Sequence, residues 1–207
     1  PGQAFGLVGN NGAGKTTLFS TLLDLIKPST GEVLNNDINV RTSEDWKSFT
    51  SAFLDESFLI GYLMPEEYFY FVGELRNFSK KQVDDFLTDF EDLFNNEILG
   101  GKKYIRDLSK GNQKKVGIVA ALIGDPKVIV LDEPFANLDP TTQIRLKKII
   151  KNLSKKEDVT VLVSSHDLQD VTEVSDRIVL LEKGLIIKDI KKTTKTLKDL
   201  ESYFTKE

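Results

Sequence analysis

Apolar and polar positions along this chain switch repeatedly between a strand period and a helix period. Ala4–Val8 (AFGLV) is a short apolar run of strand length that ends at Gly9. From Thr16, the residues Leu18, Leu22, Leu23 and Ile26 recur at helical spacing, and Pro28 is the predicted stop. Ser51–Leu54 is a candidate strand, and from about Pro65 to Leu122 the chain reads as helical. Within that stretch Ser79 and Gln82 have the spacing of a capping box. Val83, Phe86, Leu87, Phe90 and Phe94 then follow on one helical face. Val128–Leu131 is a continuous apolar run, the mark of a strand covered on both sides. Asp139–Pro140 opens a helix with a capping carboxylate and a proline at its first position; Leu146, Ile149, Ile150 and Leu153 form its buried face. Val159–Val163 is a further buried strand, and Arg177–Leu181 with Leu185–Lys188 predict a hairpin around Gly184.

Strands that alternate with helices predict an α/β fold with a mainly parallel sheet and crossover helices. The helical middle, near residues 57–122, reads as a subdomain inserted into a single domain spanning 1–207. Hydrophobic residues make up 40% and charged residues 29%, which excludes a disordered chain. There is no cysteine, so disulfides and thiolate metal sites are excluded. The net charge of −4 gives no basic excess for a nucleic acid, and none is expected as a partner. The lysine pairs Lys102–Lys103, Lys114–Lys115 and Lys147–Lys148 read mostly as solvated surface. No apolar run approaches the roughly 18 residues needed to cross a bilayer, and no secretory signal opens the chain. A role at a membrane would need another segment or polypeptide. The chain starts at Pro1 almost inside its first strand, so an antiparallel N-terminal portion is expected to be truncated.

The segment Gly9-Asn10-Asn11-Gly12-Ala13-Gly14-Lys15-Thr16-Thr17 fits G-x-x-x-x-G-K-[ST] between a predicted strand and a predicted helix. Glycines let main-chain N–H groups turn inward around phosphate oxygens, and the helix adds its positive end. Lys15 would reach the β- and γ-phosphates of a nucleoside triphosphate, and the Thr16 hydroxyl is a ligand for Mg²⁺. At the end of the Val128–Leu131 strand, Asp132 and Glu133 place two carboxylates where sheets of this type bind ligands. Asp132 suits Mg²⁺, through water, and Glu133 suits polarising an attacking water.

These residues, with three further segments, resemble the nucleotide-binding domain of ABC transporters over nearly the whole chain. Leu108-Ser109-Lys110-Gly111-Asn112 is similar to the family signature Leu-Ser-Gly-Gly-Gln. Phe135-Ala136-Asn137-Leu138-Asp139 resembles its D-loop, and Ser164-Ser165-His166-Asp167 its switch-histidine segment. The resemblance implies ATP as substrate, Mg²⁺ as cofactor, and hydrolysis with Glu133 and His166 as catalytic residues. It implies nucleotide contacts from residues 9–17 and, across a head-to-tail dimer, from Ser109 and Gly111. Ser109 would serve equally well as the N-cap of an amphipathic helix whose apolar face is Val116, Val119, Ala120 and Ile123. Lys110 and Asn112 depart from the signature, and Leu-Ser-Lys-Gly is similar to exporter-like members. Where the family often has a Mg²⁺-coupled glutamine, Glu56 aligns, with Asp55 the competing choice. The family's upstream aromatic, which stacks on adenine, is expected to be missing because the chain begins too late to include it.

Tyr68, Phe69, Tyr70 and Phe71 are mostly core of the helical region by pattern. A sharper alternative has some of them, with Phe58, lining a groove for a short helix of a membrane partner, as the resemblance implies. The expected role is the ATPase subunit of an exporter, peripheral on the cytoplasmic face through a transmembrane permease. The alternatives are a soluble ABC ATPase acting on ribosomes or DNA, or a non-hydrolysing regulatory cassette.

Overall fold

A computed structural model describes residues 2–204. In chain order the elements are β1 (Gln3–Val8), α1 (Lys15–Leu22), β2 (Leu34–Asn35), β3 (Ile38–Asn39), β4 (Thr50–Phe53), α2 (Pro65–Leu75), α3 (Lys80–Thr88) and α4 (Glu91–Phe94). There follow α5 (Lys110–Leu122), β5 (Val128–Leu131), α6 (Pro140–Leu153), β6 (Thr160–Ser165), α7 (Leu168–Val174), β7 (Arg177–Glu182), β8 (Leu185–Lys191) and α8 (Thr196–Phe204). The main sheet has the order β4-β5-β6-β1-β7-β8, with every neighbouring pair parallel except the β7–β8 hairpin. The pair β2–β3 is a separate antiparallel sheet. The expected α/β architecture is therefore present.

Register decides what the sheet presents. Leu131 on β5 pairs with Val163 on β6, while Leu7 and Val8 on β1 pair with Ser164 and Ser165. The chain leaves β1, β6 and β5 on the same edge, so Gly9, His166 and Asp132 emerge from three adjacent strands. Each strand spacing is about 4.8 Å, so side chains from the outer two can meet across the tip of the middle one.

One continuous apolar cluster runs from α2–α4 through α5 to the strands. Phe69, Phe94, Ile118, Ile129, Leu131 and Val163 are among its buried members. The capping box at Ser79 forms as predicted, with the Ser79 hydroxyl accepting from Gln82 N–H and the Gln82 side chain accepting from Ser79 N–H. It starts α3 so that Val83 and Leu87 face inward. Phe69, Phe90 and Phe94 meet ring to ring, with centroids 5.8 Å and 6.4 Å apart along the chain of contacts. Arg76, at the end of α2, donates to the carbonyls of Lys47, Ser48 and Thr50 and to Ser51 Oγ, fastening this helical layer to the β4 edge.

Helix α5 differs from the amphipathic expectation. Every residue from Gln113 to Leu122 is buried, because strands cover one side and the other helices cover the rest. Its closeness to β4 depends on Gly117, where a Cβ would come within 2.1 Å of the Phe53 ring. Three of the six paired lysines are off the surface: Lys114 and Lys115 of α5 and Lys147 of α6 are buried, whereas Lys102, Lys103 and Lys148 are exposed. Lys147 lies between Asp170 and Glu173 at 2.8 Å and 2.9 Å. Burial alone would lower its pKa, and those hydrogen bonds outweigh it, leaving the ammonium raised.

Four further boundaries shift. Helix α1 ends at Leu22, before Pro28, because Asp24 takes a left-handed conformation (φ 54°) and Leu25 N–H turns back to the Ser20 carbonyl. Leu25 and Ile26 are exposed in consequence. The run from Pro65 to Leu122 is not continuous helix: Asn95 and Asn96, both with positive φ, end α4, and only a 3-10 turn at Ile105–Asp107 precedes α5. Strand β6 includes Ser164 and Ser165, and β8 runs on to Lys191.

Phe94→Ala removes a fully buried ring from this cluster and should lower the unfolding free energy by about 3–5 kcal/mol, read from the urea midpoint.

Candidate functional site

The loop from Gly9 to Thr17 wraps the end of β1. Gly12 and Gly14 adopt φ of 83° and 106°, conformations costly for any residue with a Cβ, and Ala13 is buried beneath them. Ala13 N–H donates to the Asn10 carbonyl, and Gly184 N–H donates to the Ala13 carbonyl, so the hairpin β7–β8 braces the loop from outside. Helix α1 starts at Gly14 with no side-chain cap and no acidic residue in its first turn. Its positive end is therefore uncompensated, and it borders exposed Asn10, Asn11, Gly12, Thr16 and Thr17.

Lys15 is the buried centre of this loop. Its ammonium donates to the Gly9 carbonyl at 2.8 Å and lies 3.5 Å from that of Asn10. It also pairs with Glu133 Oε1 at 3.2 Å. The other Glu133 oxygen, Oε2, lies 2.9 Å from His166 Nδ1 and accepts from the His166 N–H at 3.4 Å. One carboxylate thus joins the phosphate loop to the segment after β6.

Asp132, only 4% exposed, ties the same three strand ends together. The Thr16 hydroxyl donates to Asp132 Oδ2 at 2.5 Å, and the Ser164 hydroxyl donates to Asp132 Oδ1. The hydroxyl of Ser164 in turn accepts the Glu133 N–H at 2.9 Å. Among the described residues there is no group of three or more His, Cys, Asp or Glu able to hold a metal by themselves. The donor set that does exist, one hydroxyl and one carboxylate, fits Mg²⁺. That ion keeps water and substrate phosphate oxygens in most of its octahedral positions.

The remaining sequence candidates separate. Asp55 caps its own turn, accepting from Ser57 N–H at 2.6 Å. Glu56 faces Lys114 at 3.9 Å, and no hydrogen bond or ion pair among the described residues joins it directly to Thr16 or Asp132. Ser109 caps α5 by accepting from Asn112 N–H at 3.2 Å. A Cβ on Gly111 would lie 3.3 Å from the Asn137 carbonyl, so this helix start sits beside the segment after β5. Neither the Ser109 cap nor the close neighbours of Gly111 involve the phosphate loop of the same chain. Asp139 caps α6 through the Thr142 hydroxyl and N–H, which hold its carboxyl below the usual range.

Two site contacts escaped the sequence reading. Ser164 reads only as part of the stretch resembling the family's switch-histidine segment, with no contact assigned to it, and its register opposite Leu7 gives it its place. Lys114 looked like surface charge, yet its ammonium donates to the Glu133 carbonyl at 2.9 Å.

Against known proteins, residues 1–136 match the family model described as ABC transporter. The chain belongs to the ABC transporter family. This is a family of ATP-binding cassette ATPases. An uncharacterised ABC transporter ATP-binding protein of Synechocystis is 34% identical over 189 residues, covering 90% of this chain and 52% of that protein. The methionine import ATP-binding protein of Lactococcus lactis is 31% identical over 210 residues, covering 90% of this chain and 56% of that protein. The chain spans about half the length of these curated relatives. A dimeric ATP-binding cassette solved in a post-hydrolysis state with ADP and Pi shares the fold at a TM-score of 0.79, with 23% identity, covering 93% of this chain and 86% of that one.

Lys15→Ala removes the one ammonium within the loop and should weaken ATP binding by roughly 10–100-fold, measured by calorimetry or fluorescent-nucleotide titration. Unchanged affinity would contradict the loop's role.

Proposed function

We propose that this chain is the ATP-binding and ATP-hydrolysing subunit of a membrane transporter. The observation that carries the reading is Glu133, held between Lys15 of the phosphate loop and His166 at the tip of the neighbouring strand.

On binding ATP, Lys15 turns from Glu133 to the β- and γ-phosphates, and the main-chain N–H groups of residues 9–17 hold the phosphate oxygens. Thr16 and Asp132 are the residues that would hold Mg²⁺, which supplies charge neutralisation for the phosphates when bound. Glu133, relieved of Lys15, accepts a hydrogen bond from water and orients it for attack. His166 stays on the second Glu133 oxygen and steadies the γ-phosphate side. The products are ADP and phosphate.

The start of α5 faces the Asn137 segment and not its own phosphate loop, which supports completion of the site by Ser109 and Gly111 of a second cassette. A helix start carrying a hydroxyl is a competent anion donor, worth about 0.3–1 kcal/mol or up to ~2 when partly buried. The dimeric relative with ADP and Pi supports the same pairing. Glu56 enters this scheme through Lys114 and not as a direct companion of Thr16.

Among the described residues no helix is long and apolar enough to cross a membrane. A transmembrane permease is therefore the proposed partner, with this subunit on the cytoplasmic face. Its dock is a groove of about 330 Å³ lined by Leu23, Leu25, Trp46, Phe58, Tyr68 and Val72. Phe69 is fully buried core, Tyr68 packs against that core, and Phe58 is 57% exposed, so Phe58 is the cleaner probe of docking. The finer expectation of export rests on Lys110 in the signature alone. A relative named for methionine import is comparably similar, so direction belongs to the partner. We take residues 57–122 as the inserted unit that moves with this partner.

Glu133→Gln should slow phosphate release at least about 100-fold while ATP still promotes pairing, seen by light scattering. Near-normal turnover would remove Glu133 from its role. A folded wild-type chain that binds ATP with its partner and never hydrolyses it would favour a regulatory cassette. Phe58→Ala should abolish coupled transport with basal hydrolysis and melting temperature unchanged; equal loss of all three would mark a packing residue instead.

A further inference from the structure

We propose that Lys114 is a positioning residue for hydrolysis: it fixes the main chain of Glu133 and ties that residue to Glu56. The proposal rests on the hydrolysis reading above and deepens it.

Lys114 lies within α5 and is 6% exposed. A lysine ammonium in an interior is costly unless it is partnered, and an apolar side chain would fill the same space with less cost. Its partners are both at the site: the Glu133 carbonyl at 2.9 Å and the Glu56 carboxylate at 3.9 Å. Its neighbour Lys115, by contrast, faces away from the site to Glu97 at 3.6 Å. The two lysines, adjacent in sequence, therefore do different work.

Glu133 needs such a hold. Its φ of 46° is a left-handed conformation in a residue with a long side chain, a strain of about 1–3 kcal/mol that surrounding contacts must maintain. Ser164 Oγ accepts its N–H, and Lys114 donates to its carbonyl, which also accepts the Ala136 N–H at 3.3 Å. The residue is thus gripped on both sides of its Cα, by side chains from β6 and α5. Its carboxylate is shared between Lys15 and His166, and Lys15 must leave when phosphate arrives. From that moment the main-chain grip sets the direction of the carboxylate. A displacement of about 1 Å at such a group can cost 10²-fold in rate.

Glu56 gives the hold a second end. Asp55 is committed to capping its own turn, which leaves Glu56 turned toward Lys114. Two and three residues on, Phe58 and Leu59 line the groove proposed for the membrane partner. Movement of this turn changes the charge beside Lys114, and Lys114 carries the change to the Glu133 backbone.

The test uses the purified chain, with its transport partner where turnover requires it, and compares Lys114→Met, Lys114→Arg and Glu56→Gln. Lys114→Met should lower kcat by roughly 10–100-fold with KM and nucleotide Kd within about threefold of wild type. Lys114→Arg, which keeps a cation and a donor, should recover most of the loss. Glu56→Gln should change kcat in the wild-type background and change it little beside Lys114→Met, the sign of coupling. An unchanged kcat in Lys114→Met, with an active wild type, overturns this proposal alone. So does equal loss in Lys114→Met and Lys114→Arg accompanied by a lowered melting temperature, because that marks packing and not positioning. A wild type that binds ATP and never releases phosphate overturns the hydrolysis reading, and this proposal falls with it.

Discussion

The buried carboxylate of Asp132 is the constraint on which this arrangement depends. Three loops from three parallel strands have no intrinsic reason to meet at one point. Thr16 from α1 and Ser164 from β6 both donate to Asp132, and its two oxygens are divided between them. A carboxylate with so little exposure is stable only while such donors remain, and a hydrogen bond to a charged group contributes about 1.5–3 kcal/mol. The phosphate loop, the β5 tip and the β6 tip are thereby set at fixed separations. Glu133 comes next in the chain, so its own placement follows from this anchor and from Ser164.

A division of labour follows between neighbouring acids. Asp132 is fixed, with both oxygens occupied by hydroxyls that cannot leave far. Glu133 is more exposed and is held by two groups, Lys15 and His166, that in the proposed scheme each have another use once a triphosphate is present. Lys15 cannot serve Glu133 and a γ-phosphate equally, and the phosphate offers more negative charge. Under the hydrolysis proposed above, substrate binding itself would free the carboxylate for water. The ion pair seen here compensates Lys15, and in the proposed scheme it would also restrain Glu133 until phosphate arrives.

Much of this was legible because the relevant signals are local. The G-x-x-x-x-G-K-T pattern, the apolar run ending in Asp132 and Glu133, and the capping box at Ser79 depend on residues within a few positions of one another. The fold class followed from strand and helix periods for the same reason. What could not be read were properties decided by distant packing. Lys114, Lys115 and Lys147 have the local pattern of surface charge, but α5 is enclosed on all sides and Lys147 meets Asp170 from another helix. Helix α1 stopped early through a left-handed Asp24, although its apolar spacing continued to Ile26. The break at Asn95 and Asn96 was hidden by the helical pattern on both sides of it.

Helix α5 shows why packing and function cannot be assigned to separate residues here. Its N-terminus carries Ser109 and Gly111, its fifth residue is the buried Lys114, and its middle presses Gly117 onto Phe53. That close contact allows almost no rotation of the helix against β4 without opening the core. Whatever moves the start of α5 toward a second cassette must then move the helix as a body, with Lys114 and its hold on Glu133 included. A helix that could slide or twist freely would deliver Ser109 without informing Glu133. In the proposed scheme, a rigidly packed one would make the approach of a partner cassette and the aim of the Glu133 carboxylate parts of the same displacement.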